Sequence, residues 1–253
     1  MSIRKYILVM FLSFCSFAIL LAQDWNEFLF AYNTGNATQL SADYSVAISG
    51  VYAFIGTTDN NVIVCKYDGN SWIHTQTIRN STSKRSKFGK SVSVWNDVLV
   101  VGAPSEGSGA VYMYRLMHDT WTKFQKITVN KPITNFGYAV SIYNNMLAIG
   151  APVINPDTFT TLDVNKGRVF LYAYSKNEDN WELETSIMPS DARQMGFGYA
   201  VAVLPNYVLV RSWSPEKQQE CPLSDFYLYT KNEHHYWRNI SYVSIDTTSL
   251  MLN

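Results

Sequence analysis

The sequence predicts an all-β protein built from four similar units, each a four-stranded antiparallel sheet. Two observations carry that reading: one pattern of words recurs at a fixed offset, and a tryptophan follows every copy in phase. Phe88-Gly89 leads to Leu99-Val100-Val101-Gly102-Ala103-Pro104, and Phe136-Gly137 leads to Leu147-Ala148-Ile149-Gly150-Ala151-Pro152, with fourteen residues from phenylalanine to the later glycine in both. A third copy opens at Phe197-Gly198 and reaches Leu209-Val210-Arg211 at the same offset. The earliest runs from Ala42-Asp43 to Ile55-Gly56-Thr57, with the opening word lost and the offset kept. Recurrence on this scale marks a repeat architecture.

Each unit divides into four short runs, A to D. Runs A and B are joined by the two-residue turns Ser49-Gly50, Asn96-Asp97, Asn144-Asn145 and Pro205-Asn206, which are hairpin residues. Run B is nearly continuous in apolar residues, as in Val98-Leu99-Val100-Val101, and such a strand is buried on both faces. The glycine closing it suits a positive φ or a close backbone approach, and the proline after it cannot donate to a ladder. Run C alternates and is aromatic, from Asn61-Val62-Ile63-Val64-Cys65 to Asp225-Phe226-Tyr227-Leu228-Tyr229. Run D begins at Trp72, Trp121, Trp181 and Trp237. The units span about residues 42–87, 88–135, 136–196 and 197–245.

On these words, Phe88-Gly89 with Gly102-Ala103-Pro104 and Phe136-Gly137 with Gly150-Ala151-Pro152, the chain resembles the FG-GAP repeat family, best known from the N-terminal heads of integrin alpha chains. The resemblance covers roughly residues 25–245. It implies a β-propeller with one four-stranded blade per repeat. It also implies calcium in the A–B connections, where the family carries acidic loops. The connections here are two residues long and cannot supply six or more oxygen ligands, so no cofactor is expected and calcium is not. Asp163, Asn165 and Gly167 in a longer insert offer the faintest alternative.

The family's propellers have seven blades and this chain has material for four. Residues Trp25 to Tyr32 resemble a D strand without its blade, while the fourth unit brings its own. The expectation is a propeller of about four blades, partial or open, with apolar end faces that favour self-association or a partner.

Composition sets the outer limits. The chain has 20 basic and 20 acidic residues, so no basic field for nucleic acid exists. Lys84-Arg85-Ser86-Lys87 reads as a solvated loop. Residues 1–22 read as a cleaved secretory signal, with Arg4 and Lys5 ahead of an apolar run and Ala22 at the cut; an uncleaved anchor is the alternative. Nothing else in residues 23–253 is long and apolar enough to span. Sequons at Asn36, Asn80 and Asn239 fit a secreted glycoprotein. After the leader only Cys65 and Cys221 are left, either bridging the first and last blades or standing as free thiols. The four histidines, the pair His234-His235 included, form no recognisable site, and hydrolase, zinc and phosphate-loop motifs are missing. The chain therefore reads as a secreted or cell-surface, non-catalytic binding or adhesion module, using loops such as Val153 to Lys166 and Ser214 to Ser224 against a protein or glycan. The alternatives are a propeller hydrolase or lyase, and a truncated paralogue without activity of its own.

Overall fold

The structure is a computed structural model, and it describes residues 45–80, 85–130, 133–154, 167–189, 196–213, 224–232 and 236–245. The leader, the strand expected at 25–32, Asn36, Cys221, the His234-His235 pair, the loop 214–223 and most of the long insert, Asp163 and Asn165 included, lie outside those residues.

Among the described residues sixteen strands form four antiparallel sheets, each in simple sequence order. The first sheet holds β1 (Val46–Ser49), β2 (Tyr52–Gly56), β3 (Asn61–Tyr67) and β4 (Trp72–Arg79). The second holds β5 (Ser91–Trp95), β6 (Val98–Ala103), β7 (Ala110–Met117) and β8 (Thr120–Thr128). The third is β9 (Ala139–Tyr143), β10 (Met146–Ala151), β11 (Arg168–Ser175) and β12 (Asn180–Ile187). The fourth is β13 (Ala200–Leu204), β14 (Tyr207–Trp213), β15 (Ser224–Lys231) and β16 (Trp237–Ile245). These are the blades of a β-propeller. Among the described residues no helix is long and apolar enough to cross a membrane.

In the second and third sheets strand B is buried along its length because a blade lies on each side of it, and β2 of the first sheet is buried as fully. β2, β6 and β10 are buried at nearly every position, Leu99 to Val101 completely. Three apolar clusters join consecutive blades: Phe54 and Val64 with Leu99 and Trp121, Val100 and Met113 with Leu147 and Phe170, Leu171 with Val208 and Tyr227. No apolar cluster among the described residues joins the fourth blade to the first. Edge-to-face rings lie within each cluster, Phe54 on Trp121 of the next blade at 4.8 Å, and Phe136 on Phe170 at 5.2 Å and Phe197 on Tyr227 at 5.4 Å inside one unit each.

The repeated words have distinct jobs. Within a blade, the amide of the Phe-Gly glycine donates to the carbonyl at the end of strand B: Gly89 to Gly102 at 3.0 Å, Gly137 to Gly150 at 3.1 Å and Gly198 to Arg211 at 3.2 Å. The constant offset is the loop this bond closes. The carbonyl of the same glycine points back to the preceding blade, where it lies against a strand-B glycine and accepts a hydroxyl, Ser91 Oγ to Gly137 at 2.8 Å and Ser45 Oγ to Gly89 at 2.6 Å.

That arrangement corrects one sequence expectation. Gly89, Gly137 and Gly198 carry the positive φ, at 88°, 87° and 89°, while Gly56, Gly102 and Gly150 do not. The strand-B glycines are needed for space. A Cβ on any of the three would come within 3.0 Å of the next blade's carbonyl oxygen. Ala103 and Ala151 complete the same buried corner, and Pro104 and Pro152 follow where the ladder ends.

Ser86 also departs from the solvated loop expected around it. It is fully buried, accepts the Phe88 amide at 3.3 Å and donates to Asn60 Oδ1 at 3.2 Å, while its neighbours Arg85 and Lys87 are exposed. Cys65 is a fully buried free thiol facing away from the second blade, and burial pushes its pKa up to about 12.

A candidate binding groove between the second and third blades

Each antiparallel blade places its A–B and C–D turns at one edge and its B–C connection at the other. The A–B turns use a left-handed residue, Gly50, Asn96, Asn144 and Asn206, with φ between 51° and 64°. The first three are held against the neighbouring C strand by one backbone bond each, Tyr67 donating to Val51, Leu116 to Asp97 and Tyr174 to Asn145, and the fourth by the Thr230 hydroxyl donating to the Asn206 carbonyl. The turn edge is therefore a set of short, pinned hairpins.

Side chains fasten those hairpins from blade to blade. The amide of Gln76 receives the Trp121 N–H at 2.9 Å and donates to the Trp121 carbonyl at 3.0 Å. Gln125 repeats this on Trp181, at 2.9 Å in both directions. Each glutamine thus pairs with a neighbouring strand as an added strand residue would. A bulge sits at the same place in all four C–D ladders, and in the first two blades it directly precedes this glutamine.

Ion pairs follow the same period. Lys66 meets Asp119 in the next blade's C–D hairpin at 2.8 Å, where Tyr52 Oη also donates at 2.8 Å. Arg115 grips both oxygens of Asp179, at 2.8 and 3.0 Å, stacks on Phe124 at 4.5 Å and also donates to Tyr174 Oη. Tyr174 Oη donates in turn to Asp179. The bonds from Arg115, then Tyr174, hold the Asp179 carboxyl down to about 2. Its pKa is lower folded than unfolded, so its stabilisation is complete above the ordinary carboxylate range and is lost as pH falls toward 2. The melting temperature should therefore drop between pH 4 and pH 2 less steeply in Asp179→Asn than in the parent chain; parallel profiles would remove Asp179 from that role.

Between the second and third blades this edge opens into a groove of about 420 Å3. Trp95, the last residue of β5, packs on Tyr143, the last of β9, with ring centroids 4.1 Å apart. The groove itself is lined by Trp95, Tyr174 and Trp181 with the exposed turn residues Asn96, Asp97, Asn144 and Asn145 and with Lys176. Trp181 lines the base, and its buried indole N–H has no hydrogen-bond partner. Aromatic rings beside fixed amides, one carboxylate and the cations of Arg115 and Lys176 can order a polar ligand that also has apolar faces. Among the described residues no group of His, Cys, Asp and Glu is placed to hold a metal ion.

The groove lies at the edge opposite the B–C connections, where sequence reasoning had placed the insert after Val153 and the loop after Ser214. The missed signal was small but present. The residue before each A–B turn is Ser49, Trp95, Tyr143 and Leu204, aromatic only in the middle two blades.

The sequons divide. Asn80 is partly buried, and its amide nitrogen donates to Glu106 at 2.8 Å and to Ser86 at 3.4 Å. Glu106 also accepts from Tyr112 and Lys126; burial pushes its pKa up, but these donors outweigh it and leave it lowered. Asn239 is exposed on β16.

No family model matches the chain, and no curated protein does. Solved structures do match. Hydrazine synthase of Kuenenia stuttgartiensis superposes with a TM-score of 0.52 at 10% identity, over 78% of this chain and 53% of its own. A putative 6-phosphogluconolactonase from Bacteroides uniformis gives 0.50 at 11%, over 80% and 55%. The WD40 domain of SCAP from fission yeast gives 0.45 at 15%, over 82% and 54%. At such identities the likeness is one of fold. The chain spans about half the length of these structures.

Proposed function

We propose that this chain is a secreted, non-catalytic binding module of the FG-GAP type, and that it holds a protein or glycan ligand in the turn-edge groove between its second and third blades. The observation that carries the reading is a groove lined by the rings of Trp95, Tyr174 and Trp181 together with exposed amides on pinned hairpins. Rigid blades can present such turns without ordering cost on binding, which is where affinity is otherwise lost. The phased Phe-Gly and Gly-Ala-Pro words support the family, the leader supports secretion, and Asn239 is the described sequon best placed to carry a glycan.

The test is a glycan and protein-array screen with the secreted chain, repeated on Asn145→Ala/Lys176→Ala. Both residues are exposed and neither lies in a blade junction. At least a tenfold loss on the parent's ligands, about 1.4 kcal/mol, is expected with an unchanged melting temperature. Undiminished binding would move the site off this groove. Turnover of a captured ligand would favour the propeller-hydrolase reading instead.

A further inference from the structure

The charges of the groove between the second and third blades cancel. Arg115 is held by both oxygens of Asp179, which leaves the exposed Asp97 carboxylate and the exposed Lys176 ammonium. Neither forms an ion pair among the described residues, and the side-chain amides of Asn96, Asn144 and Asn145 make no hydrogen bond among them. The rim therefore offers uncommitted donors and acceptors together, with no net field to draw an anion or a cation.

The backbone of the groove is closed to an extended peptide. Turns line it rather than a free strand edge, and the turn carbonyls of Asp97 and Asn145 already accept the amides of Leu116 and Tyr174. No row of main-chain groups is left for a peptide to pair with.

Two of its rings are particular to this junction. Trp95 and Tyr174 stand where the first junction has Ser49 and Leu116 and the third has Tyr143 and Lys231. Lys176 comes from a C–D turn of four residues between the paired Ser175 and Asn180, where the second blade has only His118 and Asp119. Trp95 is half-buried, and its packing on Tyr143 at 4.1 Å holds the ring before any ligand arrives.

A sugar ring suits each of these features. Its C–H face can stack on an indole, and every hydroxyl both donates and accepts, so amides and a carboxylate can take hydroxyls in pairs. An uncharged saccharide needs no counter-charge. The groove, at about 420 Å3, falls among clefts that hold small ligands, about 300–1,000 Å3.

We propose, taking this groove as the binding site, that its ligand is a neutral oligosaccharide, with one ring stacked on Trp95 and its hydroxyls bonded by Asn96, Asn144, Asn145 and Asp97. Lys176 adds a further donor at the rim.

The probes are neutral oligosaccharides of the gluco-, manno-, galacto- and N-acetylglucosamine series, sialylated and uronate-bearing glycans, and a proline-rich peptide library. They are read on the purified full chain, on Trp95→Leu and on Asn145→Ala/Lys176→Ala. The double variant changes only exposed side chains, so a Trp95→Leu chain that folds poorly leaves the test intact. A neutral oligosaccharide should bind with affinity steady within about twofold between about 0.05 and 0.5 M salt. Each folded variant should weaken it about tenfold or more. Capture of acidic glycans alone, or affinity that falls steeply with salt, would overturn the neutral ligand. Peptides bound in place of sugars, and lost in the double variant, would overturn the sugar and leave the groove as the site. A neutral sugar that the double variant holds as the parent does would remove the groove itself, and the proposal with it. A parent that binds no sugar overturns it as well.

Discussion

Gly102→Ala is expected to destabilise this protein by about 3 kcal/mol or more, while Gly107→Ala costs about 1 kcal/mol. The two glycines are five residues apart and fail for different reasons. Gly107 has φ of 62° and open space around its Cα, so alanine there meets only backbone strain. Gly102 has ordinary φ, but its Cα lies against the Gly137 carbonyl and the Ser91 hydroxyl, and a methyl group would come within 3.0 Å of both. Neither can yield easily. The carbonyl belongs to a glycine whose amide is tied to Gly150 at 3.1 Å, so moving it drags the third blade. The junction must open, and with it the cluster of Val100, Met113, Leu147 and Phe170. Thermal melts of the purified variants decide the matter, at roughly 2–4 °C per kcal/mol for a chain of this size. Similar small shifts in both would show that the blades do not depend on this contact.

Gln125→Leu is the second large effect. Leucine keeps the bulk and removes both bonds to Trp181, leaving a partly buried N–H and carbonyl without partners, at a cost of about 1–3 kcal/mol. Thr122→Ala, an exposed change three residues earlier in β8, should stay within about 0.5 kcal/mol. Because Gln125 ties β8 to β12 and the same hairpin lines the groove, the substitution should also weaken ligand capture. Denaturant titration of the two variants is the measurement. A Gln125→Leu chain as stable as Thr122→Ala would mean that water replaces the amide at no cost.

The repeated blade was legible in the chain because its constraints are local. Hairpin turns, the two-sided burial of strand B and the offset from Phe136 to Gly150 each leave a mark within one unit. What could not be read was the direction of each requirement. Gly102 reads from the sequence as suited to a positive φ or a close approach, and it serves the close approach alone, since the atom that forbids a side chain there sits 35 residues further along, on Gly137. Ser86 looked solvated within a basic run and is buried against Asn60, a partner 26 residues earlier.

The groove shows the same limit. Trp95 and Tyr174 each read as ordinary strand aromatics, and only the packing of the second blade on the third brings them to one groove with the turn amides. Strand content, repeat count and turn chemistry thus follow from the order of residues, because nearest neighbours impose them. Which face meets which, and what a junction excludes, depend on atoms that approach only when one blade packs on the next.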